Sequence, residues 1–168
     1  MAYDQGGYKQ KDGQRGGWNS NQKNQQKPSS ISSVREIDGY VSTPYYSIDS
    51  GGNRVPEKKF IGEYARKIAD EITKASKQEQ NKSTQIRKFF DYARRVESAG
   101  KSGNITEEEA ITEIERLDPF VNYAKERDTV SPLFQEFIST NLKKIHNIDD
   151  LTFFVKHFEA VVGYSKKK

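Results

Sequence analysis

Residues 83–99 read STQIRKFFDYARRVESA, and the apolar positions in this stretch decide the fold class. Ile86, Phe89, Phe90, Ala93 and Val96 recur at steps of three and four. At about 100° per residue they fall within a sector of roughly 120°, the width of one buried helical face. Ser83 or Thr84 is the expected N-cap, and the helix is expected to stop before Gly100, which opens a loop reaching Asn104.

The same period extends in both directions. Upstream, Phe60, Ile61, Tyr64, Ala65, Ile68 and Ile72 form one face of a helix expected from Glu57 to about Ser76 or Lys77. Downstream, Thr106 and Glu109 make a capping box, and Glu107, Glu108 and Glu109 sit at the positive end of the helix dipole. That helix carries Ala110, Ile111, Ile114 and Leu117 until Pro119 interrupts it. A short helix follows with Phe120, Val121, Tyr123 and Ala124. Ser131-Pro132 reads as N-cap and first position of the next, whose buried face is Leu133, Phe134, Phe137, Ile138, Leu142 and Ile145. Asn147, with Asp150 three residues on, starts the last helix, striped by Leu151, Phe154, Val155, Phe158, Val161 and Val162. No strand pattern competes, and the joining loops are short. The expectation is an all-α fold, a compact bundle of about six helices over residues 56–168.

Residues 1–55 are different. The first 28 contain no Val, Ile, Leu or Phe, so they bury too little apolar surface to offset the entropy of ordering them. They are expected to be a low-complexity tail, disordered when free. Lys9, Lys11, Arg15, Lys23 and Lys27, interspersed with Tyr3, Tyr8 and Trp18, suit either a solubilising tail or contact with single-stranded RNA. In residues 29–55, Ile31, Val34, Ile37, Tyr40, Val41, Tyr45, Tyr46 and Ile48 are sticky, while Gly39, Pro44 and Gly51-Gly52 break any long element. That segment reads as a linker docking in extended form on its own core or on a partner.

Chemistry is sparse. The chain has no cysteine, which removes disulfides and thiolates and suits a reducing, cytoplasmic setting. No apolar run reaches the roughly 20 residues of a membrane span, and the N-terminus lacks the apolar region of a secretory signal. His146 and His157 have no partner at metal-ligand spacing, and His157, off the apolar stripe, is expected to be partly exposed. The three consecutive glutamates diverge by about 100° each and do not converge on one ion. Glycine pairs at 6–7, 16–17 and 51–52 lie outside any strand-to-helix phosphate loop. The sequence therefore nominates no catalytic residue, no metal and no cofactor.

Charge is informative only locally. The net charge is +4, split almost evenly between residues 1–55, with 7 basic and 5 acidic side chains, and the remainder. Between Lys82 and Lys101, however, six basic residues face only Asp91 and Glu97. Arg87 and Arg94 share one shoulder of that helix, about 10 Å apart, a spacing that suits successive phosphates. Lys88 and Arg95 form a second pair further round. Glu107 to Asp118 holds six acidic residues and one Arg, so opposite faces also allow head-to-tail stacking of copies. A solvated face whose charges pair with neighbours such as Asp91 fits the same pattern.

The run Ser83-Thr84-Gln85-Ile86-Arg87-Lys88-Phe89 resembles the opening of the helix typical of the small subunit of the type III-A CRISPR effector (Csm) complex. Residues 117–127, LDPFVNYAKER, are similar to that family's central segment, in which a Tyr precedes an Arg by four, here Tyr123 and Arg127. Residues 154–166, FVKHFEAVVGYSK, resemble its closing signature through Phe158, Glu159, Ala160, Val161, Tyr164 and Lys166. The three motifs come in order, so the resemblance covers about residues 60–168. Phe120 stands where the family often has a basic residue, and Glu126 where it has a small one; an acid beside Arg127 lowers the local potential. The resemblance implies a non-catalytic helical subunit, present in several copies, that contacts guide RNA and target RNA through backbone phosphates. It implies as partners further copies of the chain and the backbone and large subunits, to which cutting is attributed. On that basis Arg87 and Arg94 bind phosphate, Arg127 and Lys166 assist, and Lys88 or Arg95 serve too. Tyr123 and Tyr164 are packing residues or RNA contacts, and Glu159 is expected to pair with a basic residue within the bundle. A helical protein-interaction adaptor without intrinsic RNA affinity is the alternative.

Overall fold

A computed structural model describes residues 1–3, 30–75 and 80–165. These residues are mostly helical, with one small sheet. The helices are α1 (Glu63–Ala75), α2 (Ser83–Lys101), α3 (Glu107–Glu115), α4 (Leu117–Glu126), α5 (Pro132–Leu142) and α6 (Ile148–Ser165). Strands β1 (Tyr46–Ile48) and β2 (Arg54–Pro56) pair antiparallel with Ser47 opposite Val55, so the expectation of helices alone is corrected by this hairpin. Its turn is built by Asp49, whose carboxylate accepts from the backbone N–H of Gly51 and Asn53, both at 2.8 Å, and by Gly52 at φ +82°.

Helix α6 is the centre of the molecule. It packs on α1 and α2 and buries Leu151, Phe153, Phe154, Val155, His157, Phe158 and Val161, more than one face of the helix. The extra burial comes from residues 30–60. Val34, Ile37, Tyr40, Tyr45 and Phe60 are all at most 3% exposed and belong to the same apolar cluster as the helices. The segment expected to dock in extended form thus covers its own core, through a 3-10 turn at Val34–Glu36 and the hairpin. The tail expected over the first 28 residues falls almost wholly on residues 4–29, outside the described ones.

A buried polar network ties this segment down. The carbonyl oxygen of Phe60 can only accept, so His157 donates to it from Nδ1 at 2.6 Å and Nε2 accepts from Tyr40 Oη at 3.0 Å. Asn141 donates to Tyr40 Oη and to the Phe137 carbonyl, both at 2.6 Å, and accepts from Tyr45 Oη at 2.7 Å. Lys144 Nζ donates to the carbonyls of Val41 at 2.7 Å and Thr43 at 2.6 Å. His157 is therefore fully buried, which corrects the expectation of partial exposure. Its covering residues lie about a hundred positions away, where helical periodicity has no reach. Burial, with a smaller contribution from the Lys144 charge, pushes His157 down to about 3, and the same burial raises Tyr40 and Tyr45.

Several boundaries also differ from the sequence reading. The first helix begins at Glu63, because Lys58–Phe60 winds as a 3-10 turn that inserts Phe60 into the aromatic cluster. Its expected end at Ser76 or Lys77 lies outside the described residues. Gly100 does not stop α2, which continues to Lys101. A Cβ at Gly100 would lie 2.8 Å from Ile148 Cδ1 and 3.0 Å from Ala110 Cβ, so this glycine lets α2, α3 and α6 approach closely. Pro119 falls in the first turn of α4, where its missing N–H is not needed. Ser83 and Thr84, expected as the N-cap of α2, are instead its first two residues, with Lys82 at the cap position. The other capping signals hold. Thr106 and Glu109 form their reciprocal box, Ser131 caps Pro132–Leu142, and Asn147 accepts from the Asp150 N–H at 2.9 Å.

Candidate nucleic-acid interface

Helix α2 is oriented by its own apolar residues. Phe90 meets Phe158 of α6 with ring centroids 5.5 Å apart, Phe89 meets Phe134 of α5 at 5.8 Å, and Tyr92 meets Phe120 of α4 at 5.8 Å. Those contacts fix the rest of the helix by its 100° step. Arg87 and Arg94 fall on the shoulder towards α6. Lys88 and Arg95 fall towards α4, and all four are exposed. None of the four makes an ion pair among the described residues; Lys101 pairs with Glu97 at 3.3 Å instead. Asp91 stands exposed between the two pairs without an ion-pair partner among the described residues, so local pairing does not neutralise the face.

The α4 side of this helix is richer than the sequence suggested. Arg116, Phe120, Tyr123 and Arg127 follow at steps of four, three and four, which places them along one side of α4. Arg127 Nη1 donates to Tyr123 Oη at 2.9 Å, and its guanidinium lies 5.6 Å from that ring. Arg116 lies 5.7 Å from the Phe120 ring, and Arg95 lies 5.8 Å from the ring of Tyr92, three residues before it on α2. Glu113 holds the junction, accepting from Tyr92 Oη at 2.6 Å and pairing with Arg116 at 3.1 Å. These two partners keep the Glu113 carboxyl below its usual range, and partial burial with the Glu113 bond pushes Tyr92 up to about 12.

Of the six candidate residues, Arg95 and Arg127 thus lie on the α2–α4 side with Lys88, while Arg87 and Arg94 lie round the helix from them. Lys166 is outside the described residues. Tyr123 is 63% exposed and Tyr164 44%, so neither is a core residue; Tyr164 lies 5.1 Å from the guanidinium of Arg66 on α1. Glu159 is exposed and makes no ion pair among the described residues, against the expectation of a bridge within the bundle. Arg116 and Tyr92 were missed. The four-three-four spacing from Arg116 to Arg127 was the available signal; Phe120 within it is 43% exposed. Among the described residues no group of His, Asp and Glu is placed to hold a metal ion, and no helix is long and apolar enough to cross a membrane.

A family model described as Csm2 Type III-A matches residues 60–168, well over half of the chain. The chain belongs to the Csm2 Type III-A family. It is accordingly a small subunit of the type III-A Csm complex, as its three motifs suggested. The match begins at Phe60, the residue that inserts into the aromatic cluster, and takes in every helix from α1 to α6. Within this Csm2 family member the 3-10 turn at Val34–Glu36 and the hairpin precede the matched region. No curated protein and no solved structure matches the chain.

Proposed function

We propose that this chain is a non-catalytic subunit that lines the RNA path of a type III-A CRISPR ribonucleoprotein in antiviral defence, in the cytoplasm. It stacks in several copies and contacts the backbones of guide RNA and target RNA. The observation that carries this reading is the face of α2. Arg87, Lys88, Arg94 and Arg95 stand exposed there with no acid paired to them among the described residues, on a helix inside the region that defines the family. Guanidinium and ammonium groups so placed neutralise phosphates and release counterions, which gives affinity without base preference. Arg127, and Lys166 on the family resemblance, add to the same strand contact. Further copies of the chain and the backbone and large subunits are the partners, and cutting belongs to those subunits.

The full chain binding guide RNA, target RNA and their duplex at two salt concentrations tests this. Wild type binds in a salt-sensitive way and leaves the RNA intact. Arg87→Ala with Arg94→Ala weakens binding and lowers the slope of log K against log salt by roughly 1.5, since each phosphate contact contributes about 0.7–0.9. Unchanged affinity in a double variant with wild-type helicity would refute the assignment. No binding at low salt, with or without the backbone subunit, would favour the protein-only adaptor.

A further inference from the structure

We infer that the junction of α2 and α4 is a stacking site for unpaired RNA bases, separate from the phosphate contacts of Arg87 and Arg94. This inference rests on the RNA-lining reading and assigns it a second kind of contact.

The core leaves two aromatic residues of this face, Phe120 and Tyr123, largely uncovered. Helix α4 buries Leu117 and Val121, with Ala124 partly buried beside them, and those side chains supply its packing against α5. Phe120 and Tyr123 project to the side and remain 43% and 63% exposed. Large rings left in water one helical turn apart have apolar surface still to cover.

Their surroundings select the occupant. Three arginines stand against three rings: Arg95 at 5.8 Å from Tyr92, Arg116 at 5.7 Å from Phe120, and Arg127 at 5.6 Å from Tyr123. Tyr92 and Phe120 are themselves in edge contact at 5.8 Å, which joins the α2 and α4 halves. Glu113 neutralises Arg116, whereas Arg95 and Arg127 make no ion pair among the described residues. A protein partner offering apolar side chains would leave these cations unmatched, and an acidic peptide would leave the rings uncovered. An unpaired nucleotide satisfies both, with a base on the ring and a phosphate on the adjacent guanidinium. Alternating aromatic and basic groups are the general form of single-strand recognition, because every base has a flat face. A base held in a duplex cannot reach the rings. The site therefore engages positions where guide and target are not paired, such as a nucleotide turned out of the helix.

The Tyr123–Arg127 pair sets the geometry. The Arg127 bond to Tyr123 Oη, 2.9 Å long, aligns the guanidinium and the phenol, so ring and cation are presented together. Tyr123→Phe keeps the ring and releases the arginine; Tyr123→Ala removes the stacking surface.

The test uses the full chain and two RNA duplexes, one fully paired and one with a single unpaired 2-aminopurine, whose fluorescence falls on stacking. Wild type is expected to bind the bulged duplex more tightly by about fivefold or more and to quench the probe, given the usual strength of base–aromatic stacking. Tyr123→Ala, at an exposed position that leaves the core intact, abolishes the preference and the quenching. Tyr123→Phe retains most of the quenching. Arg87→Ala with Arg94→Ala weakens both duplexes alike and keeps the preference. Equal binding of the two duplexes by wild type, or a preference that survives Tyr123→Ala, overturns the stacking site while leaving the phosphate contacts standing. Failure of wild type to bind either duplex at low salt overturns both.

Discussion

Acid should loosen this protein well before its carboxylates are protonated. His157 is fully buried and neutral, with Nδ1 donating to the Phe60 carbonyl and Nε2 accepting from Tyr40. Burial disfavours the charged imidazolium, a proton on Nε2 would forfeit the bond accepted from Tyr40, and Lys144 adds an unfavourable charge nearby, so the group titrates near 3 in the folded chain. In the unfolded chain it titrates near 6.5. The unfolded state therefore binds a proton that the folded state refuses. The stability contribution is complete above pH 6.5 and is lost as pH falls from there towards 3. Between pH 7.5 and pH 5 the loss is about 2 kcal/mol, and the slope approaches 1.4 kcal/mol per unit. For a chain of this size that lowers Tm by roughly 4–8 °C. Circular dichroism melts at half-unit steps of pH measure it directly. His157→Gln, which keeps a donor and an acceptor without the ionisation, should flatten the profile across pH 5–7. A wild-type profile flat between pH 7.5 and pH 5 would refute the argument, as would one equally steep in His157→Gln.

Two further substitutions probe the packing. Gly100→Ala should not gain the roughly 1 kcal/mol that alanine usually brings to a helix interior, because the fixed Cβ of Ala110 at 3.0 Å cannot move aside; a net loss of about 1 kcal/mol is expected by urea unfolding, partly relieved by Ile148→Val, and a clear gain in stability would contradict it. Asn81 sits at φ +54° and accepts from the Ser131 N–H at 2.8 Å while donating to the Ser131 hydroxyl at 2.8 Å, so Asn81→Ala should cost about 2–4 kcal/mol and Asn81→Gly somewhat less; equal costs for the two in thermal melts would remove backbone strain from the account.

What the sequence disclosed and what it hid divide along sequence distance. Thr106 with Glu109, Ser131 with Pro132 and Asn147 with Asp150 act within one helical turn, so each was readable from a few letters. The apolar stripes were readable too, because a helix repeats its face every three or four residues. Residues 34–45 were not. Their partners, Glu136, Asn141, Lys144 and His157, lie about a hundred positions away, and a short run of Val, Ile and Tyr between glycines carries no period that announces where it will land. His157 was misjudged for the same reason, since its exposure depends on Tyr40 and Phe60. Gly100 shows a different limit. A glycine near a helix end is read as a stop, and only the positions of Ala110 and Ile148 reveal that its missing side chain is a space for a neighbour. At the basic face, Arg87, Lys88, Arg94 and Arg95 were visible as a cluster, whereas the link from Arg95 through Tyr92 and Phe120 to Arg116 depends on how α2 and α4 meet.

The clamp between the two ends of the chain also dictates an order of events in synthesis. Tyr40 and His157 are 117 residues apart, Val34 and Glu136 are 102, and Tyr45 and Asn141 are 96. A chain emerging from the ribosome exposes Val34, Ile37, Tyr40 and Tyr45 first and their partners nearly last. Loops of this length close at a modest entropic cost but late, so the early segment waits uncovered while α1 to α5 are made. Only when α6 has emerged does the core acquire its lid. A nascent chain halted before α6 would therefore leave Tyr40 without His157 and Tyr45 without Phe153, and the covering of these two rings would mark the arrival of α6.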